Sequence, residues 1–359
     1  MARVWEIFCR VIDNLGDIGV CWRVANDLAH RGEQVRLWTD DASALRWMAP
    51  QGRPSVRVLP WLESPTAVDC GDIVIEAFGC NPPHAYVACM KARAIAPVWI
   101  NLEYLTAQAY ARQNHGLRSP QLSGPGAGLT KWFFHPGFVP GTGGLMRERD
   151  LESRQRHFDA PAWRAAHGFD LRPGERSVSL FCYANTALAS LLNVLGTQPT
   201  LVLAAPGAAT DQLRQLLGPT LRRGALRAIA LPWLSQPDYD HLLWSCDLNF
   251  VRGEDSWVRA QWTDRPFIWQ PYVQSDDAHH AKLHAFLDLY LANAAPEMAR
   301  DIRALWARWN GLPSAEPGVA PMALPDPVRW QDHQRCWSAA LREQTDLTTQ
   351  LLRFVSDRR

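Results

Sequence analysis

Apolar and polar positions alternate between two periods along the first hundred residues. The run VWEIFCRVI predicts a buried strand, and the apolar residues between Ile18 and Leu28 recur with the spacing of a helix. QVRLWTD predicts a second strand, while DIVIEAF (72–78) and APVWINL (96–102) are continuous apolar runs typical of parallel strands covered on both faces. Strands and helices in this order predict a doubly wound α/β unit.

A second series of strands and helices follows a long irregular stretch. From about 114 to 147 the pattern dissolves into Gly, Pro and aromatic residues (SGPGAGLTKWFFHPGFVPGTGG), which predicts functional loops. RPGERSVSLFCYAN then begins a series that continues through TLVLAA, ALRAIAL, CDLNFVRG and PFIWQPY, with helices at 238–245 and about 256–262. The tail, 329–357, has helical spacing. The second series predicts a second α/β unit.

The length of the chain supports two domains. Single hydrophobic cores stop growing near ~250–300 residues, and this chain has 359. We expect a first domain at 1–165, a second at 172–339, and a terminal helix at about 340–359 that packs back on the first. Two such domains facing a central cleft would bind ligands at the carboxyl ends of their strands.

Charge and cysteine content exclude several classes of protein. The net charge is +1, from 37 basic and 36 acidic residues, so the basic surface of a nucleic-acid-binding protein is not expected. The eight cysteines form no C-x-x-C pair, which is typical of a reducing compartment. No apolar run approaches ~18 residues and no signal peptide is evident. These features predict a soluble, cytoplasmic protein without a membrane partner.

The first candidate site lies in DNLGDIG, directly after the first strand. Gly16 and Gly19 would allow close approach of the backbone, and Asp13 and Asp17 would lie four residues apart in one turn. Asp17 could simply cap the helix. Two carboxylates exceed what capping needs, so a contact with substrate is the alternative.

The second candidate site lies in FVRGEDSWVRAQW, at the carboxyl end of a strand in the second series. Arg252 and the free amides of the next helix would favour a diphosphate, with Ser256 as the helix cap. Glu254 could accept hydrogen bonds from sugar hydroxyls. The alternative is an ordinary acidic helix start.

Aromatic residues that follow strands of the second series are candidates for stacking on a nucleobase. Phe181, Tyr183 and Trp233 occupy such positions, and Gln236 could contact a base edge. The chain contains 17 tryptophans, so core packing competes with this interpretation at each position.

Two patterns that imitate metal sites are better explained as structural. Asp238 and Asp240 form a D-x-D, but they follow Pro237 at a predicted helix start. His280 and His284 have zinc-like spacing, but no H-E-x-x-H pattern and no third ligand accompanies them. We therefore predict no metal site.

RVIDNLGDIGVCWR, FFHPGF with TGGL, SLFCYAN and FVRGEDSWVRAQW together resemble the protein-arginine rhamnosyltransferases that modify bacterial elongation factor P. The resemblance runs in order along nearly the whole chain. It implies an α/β, GT-B enzyme, metal-independent and inverting, that moves L-rhamnose from dTDP-β-L-rhamnose to one arginine of the translation factor. It implies no cofactor beyond the donor substrate.

The resemblance also implies roles for individual residues. The two acids of the first loop correspond to Asp13 and Asp17, which would bind the acceptor arginine, and the essential glutamate of R-G-E-D-S corresponds to Glu254. The implied donor contacts are Phe181, Tyr183, Trp233, Gln236, Arg252, Glu254, Asp255 and Ser256. Relatives often carry Phe at the position of Trp233.

The acceptor explains why two carboxylates are needed in one turn. A guanidinium is planar, permanently charged and a poor nucleophile. Two carboxylates can hold it in a forked geometry, and one of them can accept a proton as a nitrogen attacks. We expect Asp17 to accept the proton and Asp13 to orient the arginine.

Other functions stay open at this stage. A GT-B transferase with a small-molecule acceptor would keep the donor site, and a non-catalytic nucleotide- or translation-factor-binding module would leave Asp13 and Asp17 without a role. A nicotinamide oxidoreductase is disfavoured because G-x-G-x-x-G is absent. The expected partners are elongation factor P and dTDP-rhamnose, without nucleic acid, and the protein is expected to be a monomer.

Overall fold

The computed structural model describes residues 3–13, 15–61, 70–273, 277–312 and 322–358. In chain order the elements are β1 (Val4–Cys9), α1 (Gly16–His30), β2 (Gln34–Thr39), α2 (Leu45–Met48), β3 (Val56–Pro60), β4 (Ile73–Ala77), α3 (His84–Ala92), β5 (Val98–Leu102), α4 (Tyr110–Asn114), β6 (Arg118–Pro120), β7 (Thr130–Phe134), α5 (Leu151–Arg156), α6 (Ala160–Ala166), β8 (Arg176–Leu180), α7 (Leu188–Leu195), β9 (Thr200–Ala204), α8 (Ala208–Leu217), β10 (Arg222–Arg223), β11 (Leu226–Ala230), α9 (Gln236–Ser245), β12 (Leu248–Arg252), α10 (Asp255–Gln261), β13 (Phe267–Gln270), α11 (Ala278–Tyr290), α12 (Pro296–Trp309), α13 (Pro327–Arg342) and α14 (Leu347–Ser356). The alternation of strands and helices confirms the predicted α/β class.

The chain divides into two compact units. The first contains the residues up to Leu151 and those from Glu343 onwards, and the second is Glu152–Arg342. Residues 152–165 therefore belong to the second unit, although the sequence suggested a first domain that continues to 165. The reason is that α6 packs on α9, where the Arg164 guanidinium donates to the Ser245 carbonyl at 2.9 Å.

The first unit is built on a sheet with the strand order β3-β2-β1-β4-β5-β7-β6. All neighbours pair in parallel except β6, which is antiparallel to β7. Phe8, Trp38, Tyr86 and Trp99 belong to a core cluster of this unit. The predicted apolar face of α1 is confirmed, because Ile18, Cys21, Ala25 and Leu28 are fully buried and Trp22 is 6% exposed.

The prediction of loops throughout 114–147 was wrong for two segments. β7 pairs with β5 along TKWFF, and β6 pairs with β7. The apolar residues of TKWFF form only a short run, and the Gly- and Pro-rich segments on both sides obscured it. The carboxyl end of β7 runs into the sequence FFHPGF, and the chain after it turns back so that Gly143 N donates to His135 O at 2.6 Å.

The second unit is built on a sheet with the order β10-β11-β9-β8-β12-β13. Its strands are parallel apart from the short β10, and the strand segments predicted from the second series are all present. Because the strands are parallel, their carboxyl ends lie along one edge of each sheet. In open α/β sheets this carboxyl edge is where ligands bind.

The end of the chain returns to the first unit. Leu347 N donates to Leu145 O at 2.9 Å, and Arg31, directly after α1, contacts Asp27 and Asp346 at 2.8 and 2.7 Å. Because Arg31 and Asp27 are almost fully buried, this ion-pair network is shielded from solvent screening. Among the described residues, no helix is both long and apolar enough to cross a membrane.

Candidate active site

The turn between β1 and α1 brings Asp13 and Asp17 together at the carboxyl end of the first strand. Gly16 N donates to Asp13 O at 2.9 Å, which closes the turn. A Cβ atom on Gly16 would lie 2.5 Å from Asp13 Oδ2, so the carboxylate of Asp13 rests directly on the glycine. Any larger residue at position 16 would displace this carboxylate.

The carboxylate of Asp17 is buried and held by three donors. Its Oδ2 accepts from the backbone N–H groups of Ile12 and Asp13 at 2.8 and 2.9 Å, and its Oδ1 accepts from the Tyr104 hydroxyl at 3.2 Å. Asp17 as a whole is only 2% exposed. The N-cap of α1 is Leu15, without a side-chain capping bond, so the alternative that Asp17 caps the helix is wrong.

Burial and hydrogen bonding act on Asp17 in opposite directions. Burial raises the pKa of its carboxyl group most strongly, and the negative charge of Asp13 raises it further. The hydrogen bonds from Ile12, Asp13 and Tyr104 lower this pKa, but burial outweighs them. A carboxylate with a raised proton affinity and a fixed orientation is suited to accept a proton from a substrate.

Tyr104 and Phe78 belong to this site and were missed in the sequence. Their rings stack at 4.1 Å with an interplanar angle of 9°. Phe78 adopts a left-handed backbone conformation with φ of 58°, which is a strained position for an aromatic residue. Both residues follow strands, β4 and β5, at the same edge of the sheet as Asp17. The rule that sites lie at carboxyl ends of strands could have identified them.

Two other buried acids of the first unit have structural partners. Glu6 accepts from Trp38 Nε1 at 2.7 Å and from Gly71 N at 3.0 Å, and it pairs with Arg36. Glu76 pairs with Lys131 at 2.6 Å. Burial raises the pKa of both carboxyl groups, but their oxygens are occupied by these partners. They are explained by packing within the sheet.

In the second unit, the predicted donor residues also follow strands. Phe181 and Tyr183 come after β8, and Arg252 ends the neighbouring strand β12. The guanidinium carbon of Arg252 lies 4.4 Å from the centre of the Phe181 ring and 4.2 Å from that of Tyr183. The two aromatic rings and the cation thus form one cluster, in the geometry of cation–π contacts.

The R-G-E-D-S segment forms a sharp turn into α10. Gly253 has φ of 63°, a conformation that favours glycine, and Glu254 is the half-buried N-cap residue. The expectation that Ser256 caps the helix was wrong. Its hydroxyl accepts from Arg252 N at 3.0 Å and donates to Arg252 O, so it ties the helix to the end of β12. This bond fixes the turn that carries Glu254.

The remaining donor candidates differ in exposure. Trp233, after β11, is 47% exposed, so about half of its side chain faces solvent. Gln236 is 6% exposed, and its amide donates to Asp255 Oδ2 at 3.4 Å. This contact joins the starts of α9 and α10. The structure therefore brings Gln236 together with Asp255, and Phe181 with Tyr183 and Arg252.

The residues of the two metal-like sequence patterns do not come together as the patterns suggested. Asp240 is fully buried against Arg259, which occupies both of its carboxylate oxygens at 2.9 and 2.7 Å. Within the described part of the chain, the grouping that could hold a metal ion is Asp277, His279 and His280, with ligand atoms within 4.8 Å of one another. It lies at the start of α11, where the helix dipole disfavours a cation. The absence of a metal stays a prediction.

Comparison with known proteins decides the family. The family model for elongation-factor P (EF-P) rhamnosyltransferase EarP matches residues 5–356. The chain belongs to the EarP family. It is 41% identical to a protein-arginine rhamnosyltransferase of Pseudomonas aeruginosa, over 98% of this chain and 99% of the relative. It is 43% identical to that of Pseudomonas putida, over 99% of both chains. The predicted family membership is confirmed.

Solved structures agree with this assignment. A structure that describes EarP-mediated arginine glycosylation of translation elongation factor EF-P superposes with a TM-score of 0.67 and 31% identity, over 99% of both chains. The calicheamicin glycosyltransferase CalG4 has the same fold, with a TM-score of 0.56 and 12% identity over 99% of both chains. These matches confirm the predicted GT-B fold class of this protein.

Proposed function

We propose that this protein transfers L-rhamnose from dTDP-β-L-rhamnose to an arginine side chain of elongation factor P, with inversion at the anomeric carbon and without a metal ion. The observation that carries the proposal is the pair Asp13 and Asp17 in a chain of the EarP family. A pair of carboxylates, one of which is fixed as a proton acceptor, suits a guanidinium acceptor.

The acceptor step uses the first unit. Asp13 orients the guanidinium through charge-assisted hydrogen bonds, and Asp17 accepts a proton at Oδ1 as a guanidinium nitrogen attacks. Oδ2 of Asp17 already accepts two backbone N–H groups, so Oδ1 is the better-placed oxygen for that proton. The new C–N bond forms as the C–O bond to dTDP breaks on the opposite face, and dTDP leaves with the bonding electrons.

The donor step uses the second unit. Arg252 supplies the positive charge that the departing diphosphate needs, since α10 spans only seven residues and has a small dipole. Phe181, Tyr183 and Trp233 offer aromatic faces to the thymine base, and Gln236 and Asp255 offer polar groups to its edge and to the deoxyribose. Ser256 positions the turn. Glu254 accepts hydrogen bonds from rhamnose hydroxyls.

Incubation of elongation factor P with this protein and dTDP-rhamnose, in the presence of a chelator, tests the proposal directly. We expect intact mass spectrometry to show the gain of one deoxyhexose, located on a single arginine by peptide mapping. Elongation factor P with that arginine replaced by Lys should gain nothing, because Lys lacks the planar fork. The one-bond carbon–proton coupling at the anomeric carbon of the product distinguishes the two anomers and so reports inversion.

Two results of this experiment would change the assignment. If dTDP-rhamnose binds and elongation factor P gains no mass, the acceptor is a different molecule or the protein is a binding module. If transfer occurs only before the chelator is added, metal independence is wrong. A small-molecule acceptor would be supported by release of rhamnosylated product in the absence of elongation factor P.

Glu254→Ala is expected to lower the turnover number by about 10- to 100-fold, because a hydrogen bond to a charged group is worth about 1.5–3 kcal/mol. The affinity for dTDP should stay within about threefold, since the proposed contacts of Glu254 are to the sugar. Isothermal titration with dTDP and initial rates of transfer measure the two effects. Glu297→Ala is the matched control, because Glu297 is an exposed acid in the first turn of α12. Unchanged turnover in Glu254→Ala would remove Glu254 from the site.

A further inference from the structure

The hydroxyl of Tyr104 is the side-chain donor that contacts the proposed proton acceptor. It donates to Asp17 Oδ1 at 3.2 Å, on the oxygen that the two backbone donors leave open. An oxygen of a carboxylate has two lone pairs, so Oδ1 can keep this bond and still accept a proton from substrate. Tyr104 therefore controls both the orientation and the basicity of the reactive oxygen.

Tyr104 is itself held by its stacking partner. The ring of Phe78 lies parallel to the ring of Tyr104, with 4.1 Å between the ring centres. The left-handed backbone conformation of Phe78 turns the chain directly after β4. The Phe78 N–H donates to Leu102 O at 2.7 Å, and Gly79 N donates to Asn101 Oδ1 at 3.0 Å. These bonds join the ends of β4 and β5. Strain of this kind persists where the surrounding structure determines it, and it is common at functional sites.

We propose that Tyr104, held by Phe78, is a positioning residue that keeps Asp17 ionised and oriented for proton acceptance. This inference rests on the proposed role of Asp17. The hydroxyl of Tyr104 donates to that carboxylate, so the proposed role of Tyr104 acts through Asp17. Because the guanidinium does not titrate near neutral pH, the carboxylates that face it set the lower pH limit of activity, and Tyr104 acts on the one that accepts the proton.

The charged and titratable groups around Asp17 determine whether loss of the Tyr104 hydroxyl raises or lowers the pKa of Asp17. They are Asp13 on the same turn, Tyr104 after β5, and the Cys21 thiol on α1. Burial raises the pKa of Cys21 well above its ordinary value, so this thiol is neutral and Asp13 supplies the neighbouring negative charge. The Tyr104 hydrogen bond favours the ionised form of Asp17 and lowers its pKa. Removal of the hydroxyl must therefore raise this pKa.

Tyr104→Phe tests the inference through the pH dependence of kcat/KM for elongation factor P at saturating dTDP-rhamnose. This parameter reports ionisations of the enzyme before it binds the acceptor. We expect the acidic limb to move to higher pH by about one unit, the typical effect of one hydrogen bond to a charged group. On the alkaline plateau the rate should fall by less than about tenfold, because Asp17 is then ionised in both proteins.

Two further variants complete the test. Phe78→Leu removes the stacking surface and keeps the hydroxyl, so it should move the acidic limb in the same direction by a smaller amount. Tyr110→Phe is the matched control: Tyr110 lies in the same unit, 41% exposed, and bonds Thr106 instead of Asp17. Its profile should be that of the unmodified protein. Phe78→Leu also keeps the inference testable if Tyr104→Phe is poorly folded.

The outcomes separate this inference from the proposed function. If Tyr104→Phe retains the original acidic limb while Asp17→Asn is inactive, Tyr104 has no influence on Asp17 and the inference is wrong, although Asp17 keeps its role. If Asp17→Asn is fully active, the proposed proton acceptor is wrong. A shifted limb in Tyr104→Phe, with Tyr110→Phe unchanged, supports the inference.

Discussion

Asp17→Asn is expected to lower the rate of rhamnose transfer by about 10²- to 10⁴-fold, the usual contribution of a positioned general base. The substitution should leave the turn intact. The amide oxygen of Asn can accept from the N–H groups of Ile12 and Asp13, as Oδ2 does now, while the NH₂ group faces the Tyr104 oxygen. The variant therefore loses the charge and the proton-accepting capacity, and keeps the shape.

Initial rates from intact mass spectrometry measure the effect of Asp17→Asn, and thermal unfolding verifies the fold. The affinity for dTDP should be unchanged, since the proposed donor contacts belong to the second unit. Asp41→Asn is a suitable control, because Asp41 is an exposed loop acid whose carboxylate accepts from Ser43 N at 2.7 Å. Turnover of Asp17→Asn within about threefold of the original would exclude it as the base. A large loss in Asp13→Asn alone would then assign the proton to Asp13.

Asp240→Ala is expected to lower the free energy of unfolding by about 3–5 kcal/mol, the typical cost of breaking a buried ion pair. Asp240 is fully buried and Arg259 is 2% exposed, and their two hydrogen bonds join α9 to α10. Without the carboxylate, the buried guanidinium of Arg259 loses the negative charge that balances it inside the unit. Replacement of both residues by apolar side chains should recover much of this loss.

The same substitution should weaken dTDP binding, although Asp240 is not a proposed donor contact. Gln236 begins α9 and Asp255 begins α10, so a shift between these helices separates the two residues. Urea denaturation and calorimetry with dTDP measure the two effects. Asp288→Ala is the control, because the ion pair between Asp288 and Arg303 is exposed and worth less than about 1 kcal/mol. A loss below about 1 kcal/mol in Asp240→Ala would show that this ion pair does not stabilise the unit.

The regular part of the fold could be predicted because the apolar residues of most strands and helices follow the pattern typical of that element. VWEIFC and its following helix were identified from burial patterns that local sequence encodes, and the structure agrees. TKWFF was not identified, since it becomes a strand through pairing with β5, whose residues lie 32 positions earlier in the chain. Local periodicity does not contain that information.

The candidate site was only partly predictable for the same reason. Asp13 and Asp17 are close in sequence, so their proximity followed from a single turn. Tyr104 reaches Asp17 from 87 residues away, and the hydrogen bond exists only because β5 lies two strands from β1. Ser256 illustrates a different limit: it stands at a typical capping position, yet its hydroxyl bonds the strand before the helix. The residue type and its position predict the most common hydrogen-bond partner, but the tertiary fold determines which partner is used.

The return of the chain through α14 has a consequence for synthesis. Residues 343–358 complete the unit that carries Asp13 and Asp17, and Arg31 is bonded to Asp346 within it. A ribosome has therefore produced every residue of the second unit before the first one can be finished. An incomplete chain that stops after α13 contains every residue proposed to contact the donor but lacks α14, which packs against α1. The first unit, which carries the proposed acceptor site, is thus completed only after the second unit has been synthesised.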